Sequence, residues 1–407
     1  MSARIFRSAP VSDAVSGPAF CTGLFQTLAL AVALTATLIL AHVTPASAAT
    51  FETKAAFVVL MDGETGEILF EKDGDVLMAP ASMSKLMTMT LLFEALKEGR
   101  LKLDDEFLIS ETAWRKGGAA SGSSTMFADL NSRLKVEDLI RGVIIQSGND
   151  ACIAIAEGMS GSEEAFADEM TRRGRELGLT NATFRNSTGW PDPDHRMTAR
   201  DLAVLARHII YDLGEYYHYY DERTFTWNGI TQSNRNPLLY LNLGVDGLKT
   251  GHTVESGYGL VSSGVRNDRR LILVVNGLSS EKERSEESER LLQWGFREFE
   301  AFDVYAANAV VENAEVWQGT YDLVPLVVAE DVKVIMTRGA RRDMKVSVQY
   351  EGPIPAPIQA GQQIGTLVVS APDTPSKSFP VYAGASVEQI GLFGRAMSSL
   401  LQMIQGE

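Results

Sequence analysis

The sequence predicts an α+β domain, then a small all-β domain, then an amphipathic C-terminal helix. Three observations predict this order. Up to about residue 302, helical and strand-like stretches mix without regular βαβ alternation. After Phe302 the apolar residues fall into short runs of period two. In the last twenty residues Ile390, Phe393, Met397, Leu400, Leu401 and Ile404 share one face of a 100° wheel, and Glu388, Arg395, Ser398, Ser399 and Gln402 lie opposite. With 407 residues, 45% hydrophobic and 22% charged, the composition is that of a soluble globular chain.

Residues 1–48 read as an export signal: Arg4 and Arg7 give a basic start, Leu24–Leu40 an apolar core, and Ala46-Ser47-Ala48 a small-residue cleavage site. A retained anchor is the alternative, because the apolar core approaches the length of a membrane span. Residues 49–302 then form the α+β domain. Phe57–Met61 and Ile68–Phe70 read as strands around the turn Asp62-Gly63-Glu64-Thr65-Gly66. A helix from Ala81 to about Lys97 stops at Gly99, and Val136–Ile145 and Ala151–Gly158 are also helical. Thr198-Ala199-Arg200-Asp201 is a capping-box pattern with Asp in the Glu/Gln place, opening a helix through Ile210. Leu271–Val275 reads as a buried strand, and Arg284–Phe299 as a helix. The charge run Glu281–Arg290 reads as a solvated helix face.

Residues 303–386 form the β domain. Met344, Val346, Val348 and Tyr350 alternate with Lys345, Ser347 and Gln349, and Val324–Val328, Val332–Met336 and Leu367–Val369 repeat the theme. No catalytic cluster is evident there, so a spacer or docking role is expected. Residues 387–407 are expected to lie on a membrane surface, the alternative being a helix docked on protein.

The net charge of −15 argues against a nucleic-acid partner. Two cysteines, Cys21 and Cys152, exclude a disulfide framework and a cysteine-rich zinc site. His195, His208, His218 and His252 lack zinc-peptidase spacing. No metal and no cofactor are expected.

Three Ser-x-x-Lys patterns occur, at Ser82/Lys85, Ser132/Lys135 and Ser279/Lys282. Only the first has a suitable setting. Pro80 suits a helix start, Ser82 falls in the first turn, and Lys85 three residues on shares its face. Met83, Leu86, Met87 and Leu91 bury that helix, and burial lowers a lysine pKa toward the range where the amine accepts a serine proton. Ser147-Gly148-Asn149 lies in the loop between two helices, where a hydroxyl and an amide can relay a proton and hold a substrate amide. Lys249-Thr250-Gly251 offers a charge and a hydroxyl to a carboxylate, with Gly251 permitting close approach. The strand Leu271–Val275 is expected to pair beside it.

Ser-x-x-Lys, Ser-x-Asn and Lys-Thr-Gly in this order resemble the signature of the penicillin-binding proteins and serine β-lactamases. Ala79-Pro80-Ala81-Ser82-Met83-Ser84-Lys85, Ser147-Gly148-Asn149-Asp150-Ala151, Phe184-Arg185-Asn186-Ser187-Thr188-Gly189 and Lys249-Thr250-Gly251-His252-Thr253 are similar to the low-molecular-mass D-alanyl-D-alanine carboxypeptidases in particular. That family also carries a C-terminal β domain and an amphipathic anchor.

The resemblance implies serine acyl transfer on peptidoglycan stem pentapeptides, covalent capture of β-lactams, and a peripheral place at the periplasmic face of the cytoplasmic membrane. Ser82 would be the nucleophile, Lys85 the acylation base, and Ser147 the relay to the leaving amine. Asn149 would meet substrate backbone, and Lys249 and Thr250 the terminal carboxylate. The N–H groups of Ser82 and His252 would form the oxyanion hole. Trp190 stands where the family carries an aliphatic residue. A D,D-endopeptidase or a β-lactamase on the same scaffold, and a non-catalytic wall or membrane scaffold, remain the alternatives. No Glu-x-x-Leu-Asn segment follows Ser147 to supply a deacylating glutamate.

Overall fold

The computed structural model describes residues 51–372, 374–392 and 394. The expected export signal and most of the expected C-terminal helix lie outside them; the first residues of that expected helix belong instead to the β domain, where Val387 is buried and bridges Ile358, and Gln389 bridges Gly319.

The first half is built on a five-stranded antiparallel sheet. β1 (Phe57–Asp62) and β2 (Ile68–Lys72) form its first hairpin. Next come α1 (Lys85–Lys97), the short pair β3 (Glu106–Leu108) and β4 (Arg133–Lys135), α2 (Val136–Ile144), α3 (Asn149–Ser160), α4 (Glu163–Glu176) and α5 (Ala199–Tyr211). A second small hairpin, β5 (Thr224–Trp227) and β6 (Ile230–Ser233), precedes the rest of the sheet. That rest is β7 (Val245–Thr253), β8 (Gly257–Arg266) and β9 (Arg269–Leu278), followed by α6 (Glu281–Glu298). The strand order is β2-β1-β9-β8-β7.

The apolar runs are continuous because both sheet faces are covered. Val59 and Met61 of β1, with Ile272 and Val274 of β9, join the core shared with α1 to α5. Val58 and Leu60, with Leu271, Leu273 and Val275, point the other way, toward Leu291, Leu292 and Trp294 of α6. Successive strand residues face opposite sides, so a strand covered on both sides needs no polar alternation. The capping box at α5 is complete: Asp201 N donates to Thr198 Oγ1 (2.9 Å) and Thr198 N to Asp201 Oδ2 (3.0 Å).

Three expectations are corrected. The neighbour of the Lys-Thr-Gly strand is β8, whose Leu260 faces Thr250; β9, with Leu271–Val275, lies one strand further in. Asn149 opens α3 and is not a loop residue. The run Glu281–Arg290 is only partly solvated: Arg284 and Glu287 are buried, and Glu287 Oε2 accepts from Thr53 Oγ1 at 2.8 Å. Every third or fourth residue of this helix turns toward the sheet, so a charged sequence still places two ionisable groups inside.

The second half is all β: β10 (Phe299–Tyr305), β11 (Val310–Trp317), β12 (Leu323–Val328), β13 (Val332–Thr337), β14 (Lys345–Tyr350), β15 (Ile354–Pro355), β16 (Gln363–Ala371) and β17 (Thr374–Ala383). β10 pairs with β13, and the other six strands form a sheet in the order β14-β16-β17-β12-β11-β15. Phe302, Val324, Leu326, Val334, Leu367 and Val381 centre its core. No helix among the described residues is long and apolar enough to cross a membrane.

Candidate active site

Pro80 leads into a single 3₁₀ turn, Ala81–Ser84, before α1 begins at Lys85. Ala81 holds a left-handed backbone (φ 48°), a conformation that costs a residue with a Cβ. It sets Ser82 at the edge of a cleft of about 360 Å³ lined also by Ser123, Asn149, Thr188, Trp190 and His252.

Lys85 is 1% exposed on the face that Ser82 shares. Its Nζ donates to Ser82 Oγ (2.9 Å), Asn149 Oδ1 (2.8 Å) and the Thr188 carbonyl (2.6 Å). Burial pulls its pKa down to about 8, and the nearby Arg235 charge adds to the fall. At neutral pH an appreciable fraction is therefore the free amine, a base within reach of the serine proton.

A second lysine–serine pair faces the first. Lys249, on β7, is buried, and its Nζ donates to Ser147 Oγ at 3.0 Å. Burial, then the charges of Lys85 and Arg235, hold Lys249 well below the ordinary lysine range. Ser147 is buried with φ 59°. Thr250 is buried beside Lys249, whereas His252, two residues further along β7, is exposed and lines the cleft. Gly251 has a structural reason: a Cβ there would sit 2.9 Å from the Pro80 carbonyl oxygen and 3.0 Å from Met83 Cγ, so a side chain would push β7 off the nucleophile turn. Thus Ser82, Lys85, Ser147, Asn149, Lys249, Thr250, Gly251 and His252 gather along one edge of the sheet.

Two supporting devices hold these groups. Asn186 Oδ1 accepts from Thr188 N (3.2 Å), Thr188 Oγ1 (3.0 Å), Gly189 N (2.8 Å) and Trp190 N (3.0 Å), fixing the carbonyl that Lys85 uses. Gly189 has φ 77°, and a Cβ on it would approach the Ala81 carbonyl oxygen to 2.0 Å, so this loop packs directly on the nucleophile turn. Asp150, fully buried, accepts from Thr125 Oγ1 (2.6 Å) and from the N–H groups of Met126 (3.0 Å), Ala128 (3.2 Å) and Ala151 (3.0 Å). It ties the segment after Ser123 and Ser124 to α3. Asn149 Nδ2 in turn donates to Ser123 Oγ at 3.0 Å.

The other two Ser-x-x-Lys pairs are placed elsewhere. Ser132 Oγ donates to the Asp129 carbonyl in a turn, and Ser279 Oγ to Glu283 at the start of α6. Cys152 is buried, and desolvation pushes its thiol up to about 12, so it is inert. His195 is buried and pulled down to about 4 by desolvation. Among the described residues no group of acids, histidines or cysteines could hold a metal ion.

Sequence reasoning missed Arg235. It is exposed, donates from Nη1 to Ser124 Oγ (2.6 Å), and its charge lowers both lysines. Its charge, felt at both lysines, suits a carboxylate in the cleft. The Asn234-Arg235-Asn236-Pro237 turn carries no pattern that singles it out. Ser123 and Ser124 were missed as well, and only the Gly- and Ser-rich text around them was a signal.

Comparison with known proteins gives the family. The family model described as D-alanyl-D-alanine carboxypeptidase matches residues 42–280, and that of the penicillin-binding protein 5 C-terminal domain matches residues 299–389. The chain is 41% identical over 340 residues to the D-alanyl-D-alanine carboxypeptidase DacC of Escherichia coli, covering 83% of this chain and 85% of that protein. Penicillin-binding protein 5 from Haemophilus influenzae superposes with a TM-score of 0.73 at 37% identity, covering 84% of this chain and 100% of that one. The D-alanyl-D-alanine carboxypeptidase DacD from Francisella tularensis gives 0.76 at 31%, covering 84% and 95%.

Proposed function

We propose a Ser82-centred reaction cycle on the premise that the chain belongs to the D-alanyl-D-alanine carboxypeptidase family. It is a serine-type D-alanyl-D-alanine carboxypeptidase, a hydrolase of the penicillin-binding class acting in the bacterial cell wall. Assignment of the individual residues is our reading. The observation that carries it is the buried Lys85 Nζ, 2.9 Å from Ser82 Oγ.

Ser82 Oγ attacks the carbonyl between the two terminal D-alanines of a stem pentapeptide, and Lys85 takes its proton. The oxyanion sits between the N–H groups of Ser82 and His252, an interaction worth about 3–4 kcal/mol per donor. Collapse of the tetrahedral intermediate breaks the C–N bond. The leaving amine collects a proton through Ser147, whose hydroxyl is held by Lys249 Nζ. Thr250 and Lys249, with Arg235, receive the terminal carboxylate, and the Asn149 amide meets substrate backbone. Water then hydrolyses the acyl-enzyme and restores Ser82. A β-lactam enters the same cycle and stays attached, because its leaving group remains tethered.

For location, we read residues 1–48 as the export signal and, of the 387–407 segment, the part beyond Ile390 as a peripheral membrane contact at the periplasmic face. The sequence patterns of these segments support that reading.

The test uses residues 49–407 as wild type and as Ser82→Ala, each given a pentapeptide ending in D-Ala-D-Ala while free D-alanine is followed. Release by wild type alone is expected. No release from either protein, with intact folding and no covalent penicillin adduct, would overturn the residue assignment.

A further inference from the structure

At one end of the β domain four large apolar side chains stand in solvent: Trp317 is 39% exposed, Tyr321 69%, Leu323 54% and Leu392 76%. Their neighbourhood is made by the β11–β12 hairpin. Glu315 pairs with Leu323, and Val316 N donates to the Asp322 carbonyl at 2.8 Å, closing a loop that carries Trp317 and Tyr321. The chain returns to this loop after β17. Thr320 N donates to the Glu388 carbonyl (2.8 Å) and Ile390 N to the Gln318 carbonyl (2.9 Å), with Gly319 bridging Gln389. This strap delivers Leu392 to the hairpin tip. Directly beyond it the sequence enters the stretch whose apolar residues share one helical face.

Composition and placement coincide here. Indole and phenol rings partition into the headgroup layer, where an apolar body and a polar edge are both satisfied, and leucine adds apolar area below them. The opposite end of β12 has a different character, with exposed Ala329, Glu330 and Asp331 in the turn to β13. Charge at the tip comes from the exposed Glu315, Asp322 and Glu388. Attraction to anionic headgroups is therefore not the driving force, and burial of apolar and aromatic surface is.

We propose that the β11–β12 tip, with Trp317, Tyr321, Leu323 and Leu392, is a second membrane contact that seats the β domain end-on in the lipid headgroup layer. This rests on the reading of the segment beyond Ile390 as a membrane contact and extends it from the tail to the folded domain. Two contacts joined by the 388–390 strap act together: once the tail is bound, the tip meets the surface at a high effective concentration. They also fix an orientation, which a single amphipathic helix on a free linker does not.

The experiment uses residues 49–407, in which Cys152 is buried and protected from labelling. An environment-sensitive fluorophore is placed at Tyr321→Cys or, as the control, at Glu330→Cys. Vesicles of phosphatidylethanolamine and phosphatidylglycerol carry a nitroxide-labelled lipid, and co-sedimentation is measured in parallel. Quenching at position 321 and none at 330 is expected. Co-sedimentation with an unquenched probe at 321 would overturn the tip contact and leave the tail contact standing. Failure to co-sediment at all would overturn both. A triple variant, Trp317→Ser with Tyr321→Ser and Leu323→Ser, should still be labelled by penicillin and bind vesicles about tenfold more weakly. Binding equal to wild type would overturn the proposal.

Discussion

Around Ser82 the first domain encloses Lys85, Lys249, Asp150, Ser147 and Asn149, whereas the β domain encloses Phe302, Leu326, Leu367 and Val381. Among the described residues, no polar or charged side chain beyond Ser288 is buried. Burying a polar group costs about 1–3 kcal/mol unless a partner replaces water, and burying a charge costs more. A domain that serves only as a support has no reason to accept that cost, and this one does not. The first domain accepts it repeatedly and offsets it with bonds such as the four that Asp150 accepts. Polar burial thus maps the chemistry, and apolar burial maps the support.

That contrast can be broken at graded positions. Ser82→Ala should abolish covalent penicillin labelling and lower D-alanine release by at least about 10⁴-fold, read by gel fluorography and by D-alanine assay. Lys85→Gln should slow acylation by about 10²–10⁴-fold. Because burial lowers the Lys85 pKa to about 8, the free base is present above that pH and lost below it. Wild-type acylation therefore rises with pH through about 8, and the Gln variant shows no such limb. Arg235→Gln removes a charge that depresses Lys85, so its limb should move to higher pH. A limb left in place would detach Arg235 from the lysine pair.

Asp150→Ala should cost on the order of 3 kcal/mol in urea unfolding. It should also slow acylation modestly, because the Ser123 segment loses its tie to α3. Leu326→Ala, in the β-domain core, should cost about 2–5 kcal/mol by the same measurement and leave the acylation rate within about twofold. A large loss of acylation there would show that the β domain does more than support.

Much of this was legible in one sequence. The three motifs picked out residues that the fold gathers around one cleft, because their order and their setting, such as Gly251 against the Pro80 carbonyl, set them apart from chance matches. The runs Phe57–Met61 and Leu271–Val275 announced buried strands because both faces are covered. Helix α4 was not legible. Only Phe166, Ala167, Met170 and Gly174 are buried in it, too thin a stripe among its charges. Arg235 was hidden for another reason: an arginine near proline and asparagine looks like any turn residue until the fold brings its charge within reach of Lys85 and Lys249. Arg284 and Glu287 were misjudged because alternating charge looks the same on a wet helix face and on a helix packed against a sheet. Strand adjacency failed at β7 because Gly257–Arg266, broken up by glycines and serines, does not read as a strand, so the next apolar run was taken as the neighbour.

The environment of Lys85 has a consequence in valence alone. Its ammonium has three hydrogens and points them at Ser82, Asn149 and Thr188. A neutral amine keeps two hydrogens and gains one lone pair. Asn149 Oδ1 and the Thr188 carbonyl can only accept, so they retain the two hydrogens, and the lone pair falls by elimination toward the Ser82 hydroxyl. Loss of one proton thereby reverses a single bond of the three, the one in which chemistry occurs. The two fixed acceptors act as a jig, and the direction of proton flow follows from counting hydrogens.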